Sequence, residues 1–308
     1  MGAQGTPQIT FAIPYYDKLY YLREAVASVL AQTRSDWLLL IVDDAGPEPA
    51  DALVAELGDD RITLFRNDRN LGLAGNWNTA AAMATTPWVT LLHADDRLHP
   101  DYASEVLAAA DRNPALAAIF TDTDIIDADG RPARSLPETV KRFARRPDHD
   151  HDVVGDEGLA AILANNYVMC PTLCYRTDLA VDHPFDARWR MVMDLDHTAA
   201  LLLAGHTLHG IRRPLYSYRR HNLNQTTSLT ASSVRFEEEI ALYRELVETA
   251  QAKGWARSTK TARRRWMVRV HLLTQVGIDV LGRRFRPARS KLSLLCSDFG
   301  PTRRLDRA

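Results

Sequence analysis

The chain has 308 residues, of which 46% are apolar and 25% charged, and a formal net charge of −1. These values are ordinary for a soluble globular protein, with room for one large domain or a domain with an appendage. No apolar run reaches the roughly 18 residues of a transmembrane helix, and Met1-Gly2-Ala3-Gln4-Gly5 lacks the basic and apolar regions of a signal peptide, so a cytoplasmic enzyme is expected.

In chain order, Ile9 to Pro14 is a short β-prone run ended by proline, and Leu19, Leu22, Val26 and Leu30 follow at helical spacing. Trp37 to Val42 predicts a second strand running into Asp43-Asp44, Glu48 to Leu57 a helix, and Ile62 to Phe65 a third strand. Asn76 to Ala84 is Ala-rich and helical, and Trp88 to Leu92 is a fourth strand running into His93-Ala94-Asp95-Asp96. Strands alternating with helices of about ten residues predict βαβ units and a mainly parallel sheet. In such sheets ligands gather outside the carboxyl ends of the strands, which places Pro14-Tyr15-Tyr16, Asp43-Asp44 and Asp95-Asp96 around one crevice.

Further on, Tyr102 to Arg112 reads as a helix, Ala117 to Thr121 as a strand, Asp122 to Gly130 as an Asp-rich turn and 131–156 as a long loop. Helices are expected at Gly158–Asn165 and Asp194–Ala204, with a strand at Gly210–Arg219 between them and a helical remainder. In that remainder Phe236, Ile240, Tyr243 and Val247 mark one stripe, and Trp266, Val270, Leu273 and Gly277 another. Residues 256–308 hold fourteen Lys or Arg against three Asp, so the first 255 residues carry about −12. Arg257, Lys260, Arg263, Arg264, Arg265 and Arg269 crowd one expected helix. Such basic helices suit an anionic membrane surface or a homodimer as well as a solvated face; no motif points to nucleic acid.

Two adjacent carboxylates at a strand end repel each other and resist burial unless a positive partner meets them. A hard divalent cation carrying a nucleotide diphosphate supplies one. No Gly-x-Gly-x-x-Gly opens the first helix and no P-loop occurs, which argues against a dinucleotide enzyme or a P-loop nucleotidase. Cys170 and Cys174 lack the partners of a zinc site and read as packed thiols. The bland readings are that Asp43-Asp44 and Asp194 cap helices, that Asp95-Asp96 precedes a helix start, and that His221 lies on a loop. The cluster from Asp122 to Gly130 lacks the spacing of a calcium loop and reads as a solvated turn.

Ile13-Pro14-Tyr15-Tyr16, Ser28 to Thr33, Val42-Asp43-Asp44 and His93-Ala94-Asp95-Asp96, in this order, resemble the family 2 glycosyltransferases of GT-A fold. Asn70-Leu71-Gly72, Asn78, Asp194-Leu195-Asp196 and Tyr218-Arg219-Arg220-His221 extend the resemblance over about residues 8–225. It implies a GT-A (Rossmann-like) α/β domain over 1–225, with a nucleotide-sugar half at about 8–125 and an acceptor half at about 126–225, followed by a basic helical region over 226–308. It implies an inverting, metal-dependent transferase using a UDP- or dTDP-sugar and an unknown acceptor, with Mn²⁺ or Mg²⁺ as cofactor. Asp44 would accept a hydrogen bond from the base, with Pro14 and Tyr16 shaping the pocket, and Asn78 would serve the donor site. Asp95 would face the ribose or nucleotide, while Asp96 and His221 would bind the metal. Asp194 matches the general-base position, with Asp196 as substitute, because Met193 stands where the family carries an acid. A nucleotidyltransferase and a catalytically silent binder of nucleotide sugars or carbohydrate are the competing readings. The implied location is cytoplasmic, at the inner membrane face if the basic helices lie on lipid.

Overall fold

The four N-terminal β-prone runs do form one parallel layer, in a computed structural model that describes residues 6–133, 147–221, 229–230 and 232–299. Strands β1 (Ile9–Tyr15), β2 (Trp37–Asp43), β3 (Ile62–Arg66) and β4 (Trp88–Leu91) lie in the order β3-β2-β1-β4, all parallel. Helices α1 (Leu19–Leu30), α2 (Asp51–Leu57) and α3 (Gly72–Met83) connect them. The first six residues of β1 pair with β2 from Ile9↔Trp37 to Pro14↔Val42, so the proline sits at the exit end of its strand. β1 is almost wholly buried, as a strand covered on both faces requires.

Beyond β4 the sheet becomes mixed. After β5 (Arg97–Leu98), α4 (Tyr102–Arg112) and β6 (Leu116–Ile126), the chain adds β7 (His151–Val153), α5 (Gly155–Asn165), β8 (Cys174–Arg176) and α6 (Thr177–Asp182). Helix α7 (Met193–Leu203) and β9 (Thr207–Arg219) complete this part. The full strand order is β3-β2-β1-β4-β8-β6-β9-β5, with β7 also on β9. β8 runs antiparallel to both β4 and β6, while β6 and β9 are parallel. The Asp-rich segment expected to be a turn from Asp122 is still strand as far as Ile126, because β9 pairs with it across bulged register shifts. The expected loop 131–156 contains β7 and the start of α5; its residues 134–146 lie outside the described residues.

The C-terminal helices are α8 (Val234–Ala252), α9 (Ala256–Arg264), α10 (Trp266–Leu281) and α11 (Phe285–Phe299). The single basic helix expected over Arg257–Arg269 is broken at Arg265, whose φ of 30° turns the chain between α9 and α10. Phe236, Leu246, Ala262, Val268, Leu272 and Leu295 join the apolar cluster that includes Ala12, Val42 and Val89 of the sheet. Much of the basic character is used internally. Arg265 and Arg269 donate to Asp298, at 2.7 and 2.8 Å, and Lys291 donates to Asp279 at 2.7 Å.

Burial opposes the charge on Asp298, but the Arg265 and Arg269 hydrogen bonds outweigh it and hold the carboxyl below its usual range. A depressed pKa means that the stabilisation is present above the ordinary carboxylate range and is lost as pH falls through the folded-state value. Asp298→Asn leaves Arg265 buried without its counter-charge, and about 3 kcal/mol of stability should go with it. Thermal unfolding by circular dichroism at pH 7 checks this as a drop in midpoint.

Candidate active site

The loops leaving β1 and β2 are locked against each other. A Cβ on Gly46 would lie 1.6 Å from the Tyr16 carbonyl oxygen, so only glycine fits there. Ala45 beside it is held at φ 57°, a conformation unusual for a residue with a side chain. Asp43 is sealed at the end of β2, accepting from the Gly46 N–H at 2.9 Å and pairing with Arg66. Asp44, also buried, accepts from Asn67 Nδ2 and the Leu71 N–H, both at 2.8 Å, and from the Gly72 N–H at 3.0 Å. Three of the roughly four acceptor sites of a carboxylate are thereby engaged in holding the turn into α3. Pro14, the last but one residue of β1, is half-buried, and Tyr16 is 46% exposed at the rim.

At the end of β4 the adjacent carboxylates separate by burial. Asp96 is fully enclosed; it accepts from the Tyr216 hydroxyl at 2.9 Å and the Arg219 N–H at 2.7 Å. Burial, with Asp95 beside it, pushes its carboxyl well above the usual range. Asp95 keeps more exposure, and its Oδ2 lies 3.0 Å from His221 Nε2. Burial opposes its charge too, but the His221 hydrogen bond and the His93 and His221 imidazoles hold it below the usual range. Burial also lowers His93, and its Nε2 is shut off from solvent with no hydrogen-bond partner among the described residues. One ligand atom from each of His93, Asp95 and Asp96 falls within 4.8 Å of the others.

Arg219 organises this end of the sheet. It is fully buried, donates through Nε to the Asp95 carbonyl at 2.6 Å, and pairs with Glu24, which Arg97 also holds at 2.6 Å. The Tyr21 ring lies under the Arg219 guanidinium at 4.5 Å and stacks on His221 at 5.3 Å. Tyr21, on α1, therefore packs against the site itself.

The segment before β8 runs past the end of β4, since β8 is antiparallel to it with Thr90↔Cys174. Asp194, in the first turn of α7, lines a small cleft with Cys170, Asn166 and Thr198 from that side. Asp196 is on another face, near Trp189 and the Arg188 charge, and burial raises its carboxyl. Met193, where an acid was expected, is 3% exposed and belongs to the apolar core, which explains why no carboxylate stands there. Asn78 departs from its expected donor contact. Its amide donates to the Phe185 carbonyl at 2.9 Å and accepts from the Phe185 N–H at 2.8 Å, so both of its polar atoms clamp the loop ahead of α7.

Residues 10–161 match the family described as Glycosyl transferase family 2. That segment belongs to the family. The matched segment holds Asp44, Asn78, Asp95 and Asp96 and stops short of Asp194 and His221. The chain is 32% identical over 141 residues to the succinoglycan biosynthesis protein ExoO of Rhizobium meliloti, covering 46% of this chain and 40% of that protein. It thus spans well under half the length of that relative.

Among solved structures, the chain resembles S. aureus TarS 1–349 in complex with UDP-GlcNAc. That likeness has a TM-score of 0.61 at 17% identity over 78% of this chain and 66% of that one. It also resembles the mannosyltransferase PcManGT from Pyrobaculum calidifontis in complex with GDP-Man and Mn²⁺. Here the TM-score is 0.58 at 14% identity, over 95% of this chain and 86% of that one. At such identities these likenesses establish the fold, which is GT-A.

Of the residues expected at the metal, Asp96 stands next to Asp95 and His221 meets Asp95 instead of Asp96, while Asp44 follows the end of β2. The sequence reading missed Arg219, Glu24 and Tyr216. Arg219 lies within the Tyr218-to-His221 motif used to find His221, so the signal was present. Glu24 and Tyr216 carry no pattern of their own and are recognisable only through their partners.

Proposed function

We propose that the chain transfers a sugar from a nucleotide-diphosphate sugar, with UDP or dTDP as the nucleotide, to an acceptor hydroxyl or amine, with inversion at the anomeric carbon. The observation that carries this reading is the cluster of His93, Asp95 and Asp96 beside His221 at the end of β4, in a chain whose residues 10–161 belong to family 2. The donors in the TarS and PcManGT complexes support the same substrate class.

The donor set suits Mn²⁺ or Mg²⁺: carboxylate oxygen, imidazole nitrogen, and a buried His93 Nε2 with no other partner among the described residues. We assign the ion to Asp95 and His221, with His93 beside them, and give Asp96 a supporting role. This reverses the roles the sequence implied for the two carboxylates, because Asp96 is enclosed and already accepts from Tyr216 and Arg219. The bound ion would supply Lewis-acid neutralisation of the departing diphosphate.

The protein's own groups do the rest. Arg219 fixes the Asp95 backbone, Asp44 holds the turn at Leu71 and Gly72, and Pro14 and Tyr16 border the nucleotide. Asp194 takes the proton from the acceptor as it attacks opposite the diphosphate, and a single in-line displacement inverts the centre. Calorimetric titration with UDP and dTDP is expected to show binding in Mn²⁺ that weakens by about tenfold or more with EDTA or in Asp95→Asn. Equal affinity in all three conditions overturns the metal assignment.

A further inference from the structure

Helices α10 and α11 are built inside out. The outward face of α10 consists of Trp266, Val270, Leu273, Thr274, Gly277, Ile278, Val280 and Leu281, with no charged residue among them. Leu281 is 87% exposed, and Phe285, just past the turn, is 65% exposed. The inner side holds the charges: Asp279, Lys291 and Asp298 are each under 5% exposed and paired. A surface helix in water normally shows the opposite arrangement. Trp266, Val270, Leu273 and Gly277, the second stripe marked in the sequence, continue to Val280 at steps of four and three. In the fold this stripe faces out, while Val268 and Leu272 face the core.

The charge around this face selects its occupant. Arg263 and Arg264 precede it, and Arg283, Arg286 and Arg289 follow it; the latter three have no ion pair among the described residues. Both Asp residues of the hairpin are already paired inside it, to Lys291, Arg265 and Arg269. A second copy would have to set arginines against arginines, whether the two α10 helices ran parallel or antiparallel. An anionic surface meets no such repulsion. Arg286 and Arg289 also line an open groove of about 540 Å³ with Ser290, Ser293 and Ser297, and with Glu237 of α8 on its wall. Arginine and hydroxyl donors at that spacing suit the oxygens of phosphate headgroups. Among the described residues no helix is long and apolar enough to cross a membrane.

We propose that the α10–α11 hairpin lies on an anionic phospholipid bilayer. The α10 stripe, Leu281 and Phe285 enter the boundary of the acyl chains, and Arg283, Arg286 and Arg289 meet the headgroup phosphates. A length of about 24 Å for α10, at 1.5 Å per residue, gives a helix that lies in the interface. This surface stands independently of the sugar-transfer reading, since it uses none of the site residues.

The test is flotation of the full chain with phosphatidylcholine vesicles containing either no phosphatidylglycerol or about a third of it, alongside sedimentation velocity without lipid. Wild type is expected to float with the anionic vesicles at least about tenfold more strongly than with neutral ones, because each arginine near such a surface is worth about fivefold in binding. Leu273→Asp/Leu281→Asp should abolish flotation with an unchanged circular dichroism spectrum, and Arg283→Ala/Arg286→Ala/Arg289→Ala should reduce it steeply. Equal flotation on both vesicles, or undiminished flotation of both variants, overturns the proposal. So does a lipid-free dimer that the aspartate variant dissociates, which would assign the face to a second copy.

Discussion

Asp95→Asn is expected to lower sugar transfer on the order of 10²–10³-fold, the cost of removing one electrostatic stabiliser of developing charge, while leaving the melting temperature within a degree or two of wild type. Its neighbour should behave in the opposite way. Asp96→Ala strands the Tyr216 hydroxyl and the Arg219 N–H inside the protein, at about 1–3 kcal/mol for each unsatisfied group. Its first consequence is a lowered melting temperature, and activity falls because Arg219 and the Asp95 backbone shift with it. Thermal unfolding and initial rates measured on the same preparations separate the two. If Asp95→Asn lost stability and kept activity, the assignment of the exposed carboxylate to the metal would be wrong. The contrast arises from burial alone, since the two side chains have the same chemistry and adjacent positions.

The proposed general base, Asp194, gives the second large effect. Asp194→Asn should retain nucleotide binding and lose transfer by about 10²–10⁴-fold, the range of general-base catalysis. Asp196→Asn should stay close to wild type in rate, because its carboxyl is turned toward Trp189 and Arg188. Single-turnover assays with a saturating donor distinguish a lost chemical step from lost binding. Full transfer by Asp194→Asn moves the role to Asp196 or to a group outside the described residues. A fixed reach from β4 to α7 is part of the same argument. The Asn78 clamp on Phe185 ties α3 to the loop that leads into α7, so the distance from that helix to Asp194 is held by paired backbone and amide groups.

The N-terminal part of the fold was readable from sequence because its strands are short apolar runs alternating with helices, so local pattern and tertiary environment agree. Ile9 to Pro14, Trp37 to Val42 and Tyr102 to Arg112 fell within a residue of their observed bounds. The mixed half was less legible. β5 has two residues and β8 three, too short to show a period, and β6 continues through Asp122 and Asp124 because β9 pairs with it. The stripe beginning at Trp266 marked a helix correctly, but its outward direction was not in the pattern, since periodicity reports a face and not what covers it.

The site divides in the same way. The acidic motifs could be found, but which carboxylate is enclosed depends on Tyr216 and Arg219, 120 and 123 residues away from Asp96. Asn78, expected at the donor site, bonds in the fold to Phe185, 107 residues distant. Asp44 was placed correctly at the strand end, yet its hydrogen bonds go to protein backbone and Asn67, information held in the turn rather than in the motif.

The separations that hide these contacts also set an order of assembly. Arg219 reaches Glu24 across 195 residues and His221 reaches Asp95 across 126, so loop-closure entropy must be overcome before either contact forms. During synthesis the β3-β2-β1-β4 layer can pair as soon as residue 91 has emerged, but β4 keeps a bare edge until Cys174–Arg176 arrives to cover it. An uncovered edge strand is a template for wrong pairing between chains. The chain is therefore most open to wrong pairing while the parallel layer stands alone, with the corner of Asp95 and Asp96 uncovered and the strand that carries Arg219 yet to be made.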